Sequence, residues 1–401
     1  MKRLTTFIVS GITAILLCSC EKHEQESTHS GNWPVSYGYM QFSTNVSTKA
    51  NIATNMKGKQ FGVIGYKYSK TSNWETSKSV TAPMTGFYNQ MVNCGNDGVC
   101  TYDKDNNTSG NQLQEWEDNL YSFFAYHPHN GSGISLSSSN ATNTPTLTYT
   151  YGWLNTSGNI SVYDSGTPIY DLMTAEAVDV SGSGEGKVNL NFKHRLFAFE
   201  ILANNYNENE YEKNPDGSFI LDNEGNKIIT VNARQKITNL TLTLSGLVNT
   251  SMTIPLSMQD GENEPVYNTG TVGSRTFKIS DETLTIPAYN ETFTDEIDGI
   301  VETRGEGVAT SISKLGSTNK GYVMLIPQTE TNNGITGVLN WTELDDFKKG
   351  GNTVNNEFTS TIEFKPGKLY QIYINFVGSG ITIALIEAGN WDNHDVTHTF
   401  E

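Results

Sequence analysis

Positive charge is scarce in this chain: 26 Lys and Arg face 43 Asp and Glu, for a net charge of −17 at pH 7. That excludes nucleic acid as a partner, because such binding rests on lysine and arginine at the phosphates. It also sets the chain against anionic lipid headgroups, while acidity in an exported protein favours solubility. Cysteine is scarce too, and 4 residues are too few for a disulfide-dense scaffold. Long apolar runs are missing. Residues 7–17 fall well short of the roughly 20 apolar residues that a bilayer-spanning helix needs. Long helical periodicities are absent, and no repeat of 20–50 residues points to a solenoid or a propeller.

Catalytic signatures are lacking as well. There is no G-x-S-x-G elbow, Walker loop, H-E-x-x-H helix or catalytic cysteine. "SGSGEG" at 181–186 reads as a hairpin loop, because no helix follows it to cradle a phosphate. His127-Pro128-His129 and His394-Asp395-x-x-His398 lack the further ligands of a metal centre, and read as a solvated loop and a polar terminal strand. His194, amid "FKHRLF", reads as a hydrogen-bonded structural histidine. Acids are numerous, yet nothing singles out a pair for glycoside hydrolysis. The expectation is a non-enzymatic protein with no catalytic residue, no metal and no cofactor.

What is present begins with "AILLCSCEKHEQE" at 14–26. Lys2 and Arg3, then the apolar stretch at 7–17, make a targeting segment rather than an anchor helix. Leu17-Cys18-Ser19-Cys20 fits a lipoprotein signal with Cys20 as lipid acceptor. Cys18 fails that role, because Leu17 is too bulky to precede the cut. Ordinary secretion with cleavage nearby is the rival. Each buried methylene contributes ~0.8 kcal/mol, so two or three acyl chains such as palmitate anchor stably where one would not. Losing residues 1–19 removes Lys2 and Arg3 and no acid, moving the net charge from −17 to −19. Residues 20–34 then read as a flexible tether.

From there short strands follow one another. "YMQFSTNV" places Met40, Phe42, Thr44 and Val46 on one face, as a half-buried strand does. "QFGVIGYKY" is denser and is expected to be central. "LYSFFAYHP", "PIYDLMTAEAV" and "KVNLNFKHRLFAFEILA" follow. The polar stretch 204–226 with its Pro-Asp-Gly turn divides the chain into 35–204 and 205–401, or else forms a long hairpin loop inside one domain. "ITNLTLTLSGL" alternates with one slip, and "KLYQIYINF" alternates after a bulge-like step. One helix is expected at "NWTELDDF", with Thr342 and Asp345 in capping-box relation. Cys94 and Cys100 bracket Asn96-Asp97-Gly98, a strong turn. A disulfide across that hairpin is expected in an oxidising compartment, with zinc the weaker reading because no histidine lies close. The class is all-β, with sandwich-type, Greek-key connections.

The succession "FSTNVSTKA", "QFGVIGYKY", "YSFFAYHP", "YDLMTAEA", "VNLNFKHRLFAFEI" resembles the fimbrillin (Mfa-like) family of anaerobic Gram-negative bacteria. Asp171-Leu172-Met173-Thr174-Ala175 and Phe192-Lys193-His194 carry the resemblance most strongly, and "GKLYQIYINF" and "AGNW" extend it to the C-terminal half. It implies two transthyretin-like β-sandwich domains in a lipoprotein of the outer membrane and cell surface. It also implies a fimbrial subunit, adhesive and non-enzymatic, that joins other subunits by strand exchange, with a host glycan or protein as ligand. In strand exchange a protease removes the first strand, and a neighbour's strand fills the groove by β-augmentation. Here the exchanged strand would carry Met40, Phe42, Thr44 and Val46, and the region from Ile381 onward could be the donor. The family's processing step commonly follows an arginine, and this chain reads Thr48-Lys49-Ala50, with no arginine between Arg3 and Arg195. Either a lysine-tolerant protease cuts between Lys49 and Ala50, or the first strand is retained in an anchor or cap. The alternative is a surface lipoprotein that binds glycans without polymerising, using Trp74, Trp116, Trp153 and Trp341 as stacking platforms.

Overall fold

Strands dominate because aromatic and β-branched residues alternate with polar ones along most of the chain. The computed structural model describes residues 40–46, 56–102, 114–137, 145–154, 159–161, 171–183, 187–257, 264–281, 283–297, 300–304, 307, 309–312, 322–328, 334–344 and 352–390. These all fall in one unit, residues 37–401.

Seven strands close a barrel in the order β1 (Gln41–Val46), β10 (Lys187–His194), β9 (Met173–Ser181), β5 (Leu120–His127), β2 (Gln60–Tyr68), β3 (Gln90–Cys94) and β4 (Cys100–Thr101), with β4 returning to β1. Its interior is filled from alternate positions: Phe61 and Val63, Phe123 and Ala125, Val188, Leu190 and Phe192. The opposite faces of β2 and β5 are buried as well. Ile64, Tyr66, Phe124 and Tyr126 join Trp74 in a second, larger core. The dense reading of "QFGVIGYKY" is thereby explained, since β2 lies between β5 and β3 with both faces covered.

The larger core continues into a sandwich. One sheet runs β21 (Thr310–Ser311), β11 (Phe197–Asn205), β25 (Lys368–Val377), β26 (Gly380–Asn390), with β22 (Val323–Leu325) also on β11. β11 and β25 are parallel over eight residue pairs. Facing it is β24 (Asn352–Ser360), β23 (Ile335–Glu343), β14 (Gln235–Ser245), β17 (Arg275–Ser280), β8 (Ile160–Ser161), with β18 (Leu284–Ile286) on β14. Phe199 against Phe358 and Trp341 against Phe376 join the two sheets edge to face. A four-stranded sheet, β16 (Val266–Thr269), β15 (Asn249–Pro255), β7 (Thr146–Thr150), β6 (Ile134–Leu136), adds Leu147, Tyr149, Met252 and Ile254 to the same core. β19 (Phe293–Ile297) and β20 (Ile300–Arg304) form a separate hairpin.

The all-β class stands. Residues 204 and 205 end β11, and sheets cross that point: β7 pairs with β15, and β8 with β17. The slip read in "ITNLTLTLSGL" is a β-bulge where β14 changes register between Leu240 and Thr241, after Asn239 with φ of 54°. The helix expected at "NWTELDDF" does not form in its described part. Residues 340–343 belong to β23, which buries Ile335, Leu339 and Trp341 on a two-residue period. Pairing with β14 and β24 on either side outweighs a local capping signal. The helix that does form is α1 (Trp74–Ser77), capped by Asn73, whose Oδ1 accepts from the Thr76 N–H at 2.9 Å. No helix among the described residues is long and apolar enough to cross a membrane.

The polar stretch 204–226, expected as a domain boundary or a long hairpin loop, contributes most of a small structured projection at 210–231. β12 (Glu210–Tyr211) pairs with β13 (Ile229–Val231), and bridges join Lys213 to Phe219 and Leu221 to Lys227. The Pro-Asp-Gly turn is there, with Gly217 at φ 87°, and a second turn follows at Gly225 with φ 88°.

Candidate functional site

The first strand is the candidate, and its geometry follows from its sequence. In "MQFSTNV" the apolar residues fall on alternate positions, so one face enters the barrel. Met40 and Phe42 are both buried. Phe42 sits in an aromatic nest with ring centroids 5.6 Å from Tyr102, 5.6 Å from Phe123, 6.0 Å from Phe87 and 6.4 Å from Phe61. Thr44 is half-buried on that face, its hydroxyl 3.9 Å from the Cys100 Sγ. Val46 pairs with Phe192 in the ladder.

β1 runs parallel to β10 in a continuous register from Gln41 beside Lys187 to Val46 beside Phe192. Every other described pairing in the barrel is antiparallel. On its other side β1 meets β4 at a single residue pair, Phe42 with Cys100. Outside the barrel, Ser43 donates to the Asn189 side chain. The strand's start is fixed by two bonds: Met40 N–H donates to Gln114 O at 2.9 Å, and Tyr102 Oη donates to Met40 O at 3.1 Å. Burial pushes the Tyr102 phenol up to about 12, so it remains a protonated donor across the physiological range. A groove of about 490 Å³ runs along this seam, lined by Met40, Phe42, Val99, Cys100, Tyr102 and Lys187 among others.

Cys94 and Cys100 are joined in a disulfide. They are register partners of β3 and β4, and the expected turn lies between them: Asp97 Oδ1 accepts from Val99 N–H at 3.0 Å, and Gly98 takes φ of 85°. The bridge therefore braces the short strand that flanks β1.

The histidines hold structure. His194 Nδ1 donates to Asp171 Oδ1 at 2.7 Å, with both side chains buried. This bond joins the two segments on which the family resemblance most rests, and the ladder pairs them again, His194 beside Met173 and Lys193 beside Thr174. His127 donates from Nδ1 to Gln60 O at 2.7 Å. Burial pushes its imidazole down to about 4; Lys59 and His194 act in the same direction, against the Gln60 carbonyl and Asp171. His129 Nε2 donates to Asn89 O at 3.3 Å. No group of three or more metal-ligating side chains occurs among the described residues. Cys20, Lys49, Ala50, His394, Asp395 and His398 lie outside the described residues.

The four tryptophans named as sugar platforms are buried: Trp74, Trp153 and Trp341 completely and Trp116 almost so. Trp74 stacks among Tyr66, Tyr68 and Phe124, and Trp153 on Tyr151. None can offer a face to a glycan, because core packing has taken both.

The fimbrillin-like family model matches residues 48–391. The chain belongs to the fimbrillin-like family. Among solved structures it is similar to a fimbrial protein from Bacteroides vulgatus, at 17% identity and a TM-score of 0.53, covering 88% of this chain and 99% of that one. It is also similar to candidate cell adhesion proteins from Bacteroides ovatus (12% identity, TM-score 0.45, 90% and 100% coverage) and Bacteroides uniformis (14%, 0.44, 88% and 98%). At these identities the likeness speaks for the fold, and only the first is close enough to carry that argument. No curated protein matches the chain.

Proposed function

We propose that this fimbrillin-like chain is a non-enzymatic subunit of a cell-surface fimbria, delivered as a lipoprotein through Cys20 and assembled by exchange of β1. One observation carries the reading: β1 is the barrel's lone described parallel strand, laddered along one side to β10 and touching β4 at one pair. Withdrawing it would uncover the edge of β10 and empty the nest around Phe42, leaving an apolar groove. An open edge of that kind recruits another strand. Backbone hydrogen bonds would supply affinity, and the pockets for Met40, Phe42 and Thr44 would set register. β26 and the residues after it are the proposed donor, since β26 ends its sheet and pairs with β25 alone. Two domains that share strands from both sides of 204/205, an adhesive role toward a host glycan or protein, and an outer-membrane lipid anchor complete the reading. Family membership supports the non-enzymatic assignment. The non-polymerising glycan-binding alternative gains nothing from Trp74, Trp116, Trp153 and Trp341, which are buried.

Mass spectrometry of the mature N-terminus in surface material is the test. A start at Ala50 is expected for an assembled stalk unit, and acylated Cys20 for an anchor or cap. A start elsewhere with neither feature, in a protein found only as soluble monomer, would overturn the assignment.

A further inference from the structure

Exposed large hydrophobic side chains are unevenly distributed. Of 13 among the described residues, seven belong to one region. Phe219, Leu221, Ile229 and Val231 stand on the 210–231 projection; Tyr206, Tyr289 and Val377 flank its root. Leu221 and Val377 are each more than half exposed, at 54% and 52%. Scattered single apolar residues are ordinary on a surface, whereas a concentration signals an interaction site.

The projection is built to hold such a surface out. Three short segments bond in a ring: Glu212 N–H donates to Ile228 O, Ile228 N–H to Ile220 O, and Ile220 N–H to Glu212 O, at 2.9, 3.1 and 2.9 Å. Each segment is thus bonded to the other two, and the region offers side chains to a partner more readily than a strand edge. Its root is fixed by Asn209 N–H donating to Asn290 Oδ1, Ala233 N–H donating to Asn209 Oδ1, and the Arg234–Glu291 ion pair.

Cations and neighbouring rings cover at least one face of each aromatic ring here. Lys227 Nζ lies 4.3 Å from the Phe219 ring centre and 5.2 Å from that of Tyr211, and Lys213 Nζ lies 5.2 Å from Phe219. Tyr289 has Tyr206 stacked at 6.1 Å, and a Cβ at Gly307 would come within 3.0–3.2 Å of the Tyr289 ring. Sugar stacking needs a bare ring face, and the faces so covered offer none. The charge around the patch is net negative, six acids outnumbering Lys213 and Lys227, which keep their charge over the rings. Glu208, Glu210, Glu212, Asp216, Asp222 and Glu224 are exposed, and none makes an ion pair among the described residues. The nearby cations are engaged, Lys213 and Lys227 over rings and Arg234 with Glu291. A second copy would set acidic fringe against acidic fringe. A protein surface with an apolar centre and a lysine- and arginine-rich rim complements this one.

We propose that the 206–231 region, with Tyr289 and Val377, is a docking surface for a basic-rimmed protein partner. It uses no residue of β1, so its failure and the failure of strand exchange can be told apart. The test places a photo-crosslinking amino acid at Leu221 of the full chain in the producing cells, with Val266, exposed on β16, as the control site. Mass spectrometry then identifies the joined peptide. The expected result is a crosslink from Leu221, absent from Val266, to a different protein within a Lys/Arg-rich segment. Its yield should fall roughly tenfold when Glu208→Lys and Glu224→Lys reverse the rim, with an unchanged circular dichroism spectrum. Crosslinks to a second copy, to a glycan, or to a segment without basic excess would each overturn the proposal. So would a yield at Leu221 no higher than at Val266, or one unmoved by charge reversal.

Discussion

The chain's first and last described strands are held by opposite means. β1 is held chiefly by side chains: Phe42 contacts four aromatic rings, while its backbone has one full ladder and a single pair on the other side. β26 is held chiefly by its backbone, with ten antiparallel pairs to β25. Its inner side chains Ile381, Ile383 and Leu385 are only half-buried, and Ile386 is exposed. A strand with deep pockets leaves a specific vacancy when withdrawn. A strand with a long free edge is suited to offering itself elsewhere. That asymmetry is the physical basis for casting β1 as the strand replaced and the C-terminal region as the donor.

The comparison can be broken at either strand. Phe42→Ala is expected to have the largest effect, destabilising by about 3–5 kcal/mol, the usual cost of truncating a buried phenylalanine. Urea unfolding would measure it, and a loss under ~1 kcal/mol would mean the nest does not hold β1. Replacing Cys94 and Cys100 with serine is expected to cost about 2 kcal/mol, as for a small closed loop, read as a lowered urea midpoint. Acid probes the barrel at the end of β5. The His127 imidazole titrates near 6.5 when unfolded and at about 4 when folded. Below pH 6.5 the unfolded chain takes up a proton that the folded one refuses, so stability should fall from about pH 6.5 to about pH 4. His127→Gln should flatten that part of the profile in urea titrations between pH 4 and 7. Ile386→Ala on β26 should change stability least, by under ~0.5 kcal/mol, and a larger loss would show that β26 too is held by side chains.

Much of this was legible in the sequence. Two-residue alternation located β1, β10, β14 and β25, a dense apolar run located β2, and the slip in "ITNLTLTLSGL" coincides with the bulge at Leu240. Cys94 and Cys100 around Asn96-Asp97-Gly98 announced their own bridge. The closure of the barrel was not legible. Ser43 and Asn189 are separated by 146 positions, and nothing local to "QFSTNV" records that its partner runs parallel. The helix expected at 340–347 failed in its described part because a capping signal is local, while the fate of Trp341 is decided by strands on both sides. The 210–231 projection was hidden by composition. Its polar, charged residues left a domain boundary and a long hairpin loop both open, and Gly217 and Gly225, eight positions apart, mark turns whose hydrogen bonds are close in sequence. The tryptophans misled in the opposite way, since residue type cannot distinguish a buried indole from an exposed one.

The central claim is that β1 must leave its place for subunits to join. Ser43 and Asn189 are register partners on the outside of the barrel, so Ser43→Cys with Asn189→Cys can lock β1 to β10 by an oxidant-dependent bond. The account predicts that the oxidised variant stays monomeric on the cell surface while the reduced variant forms the wild-type ladder of assembled species. Ladders of equal intensity from locked and unlocked protein would contradict it.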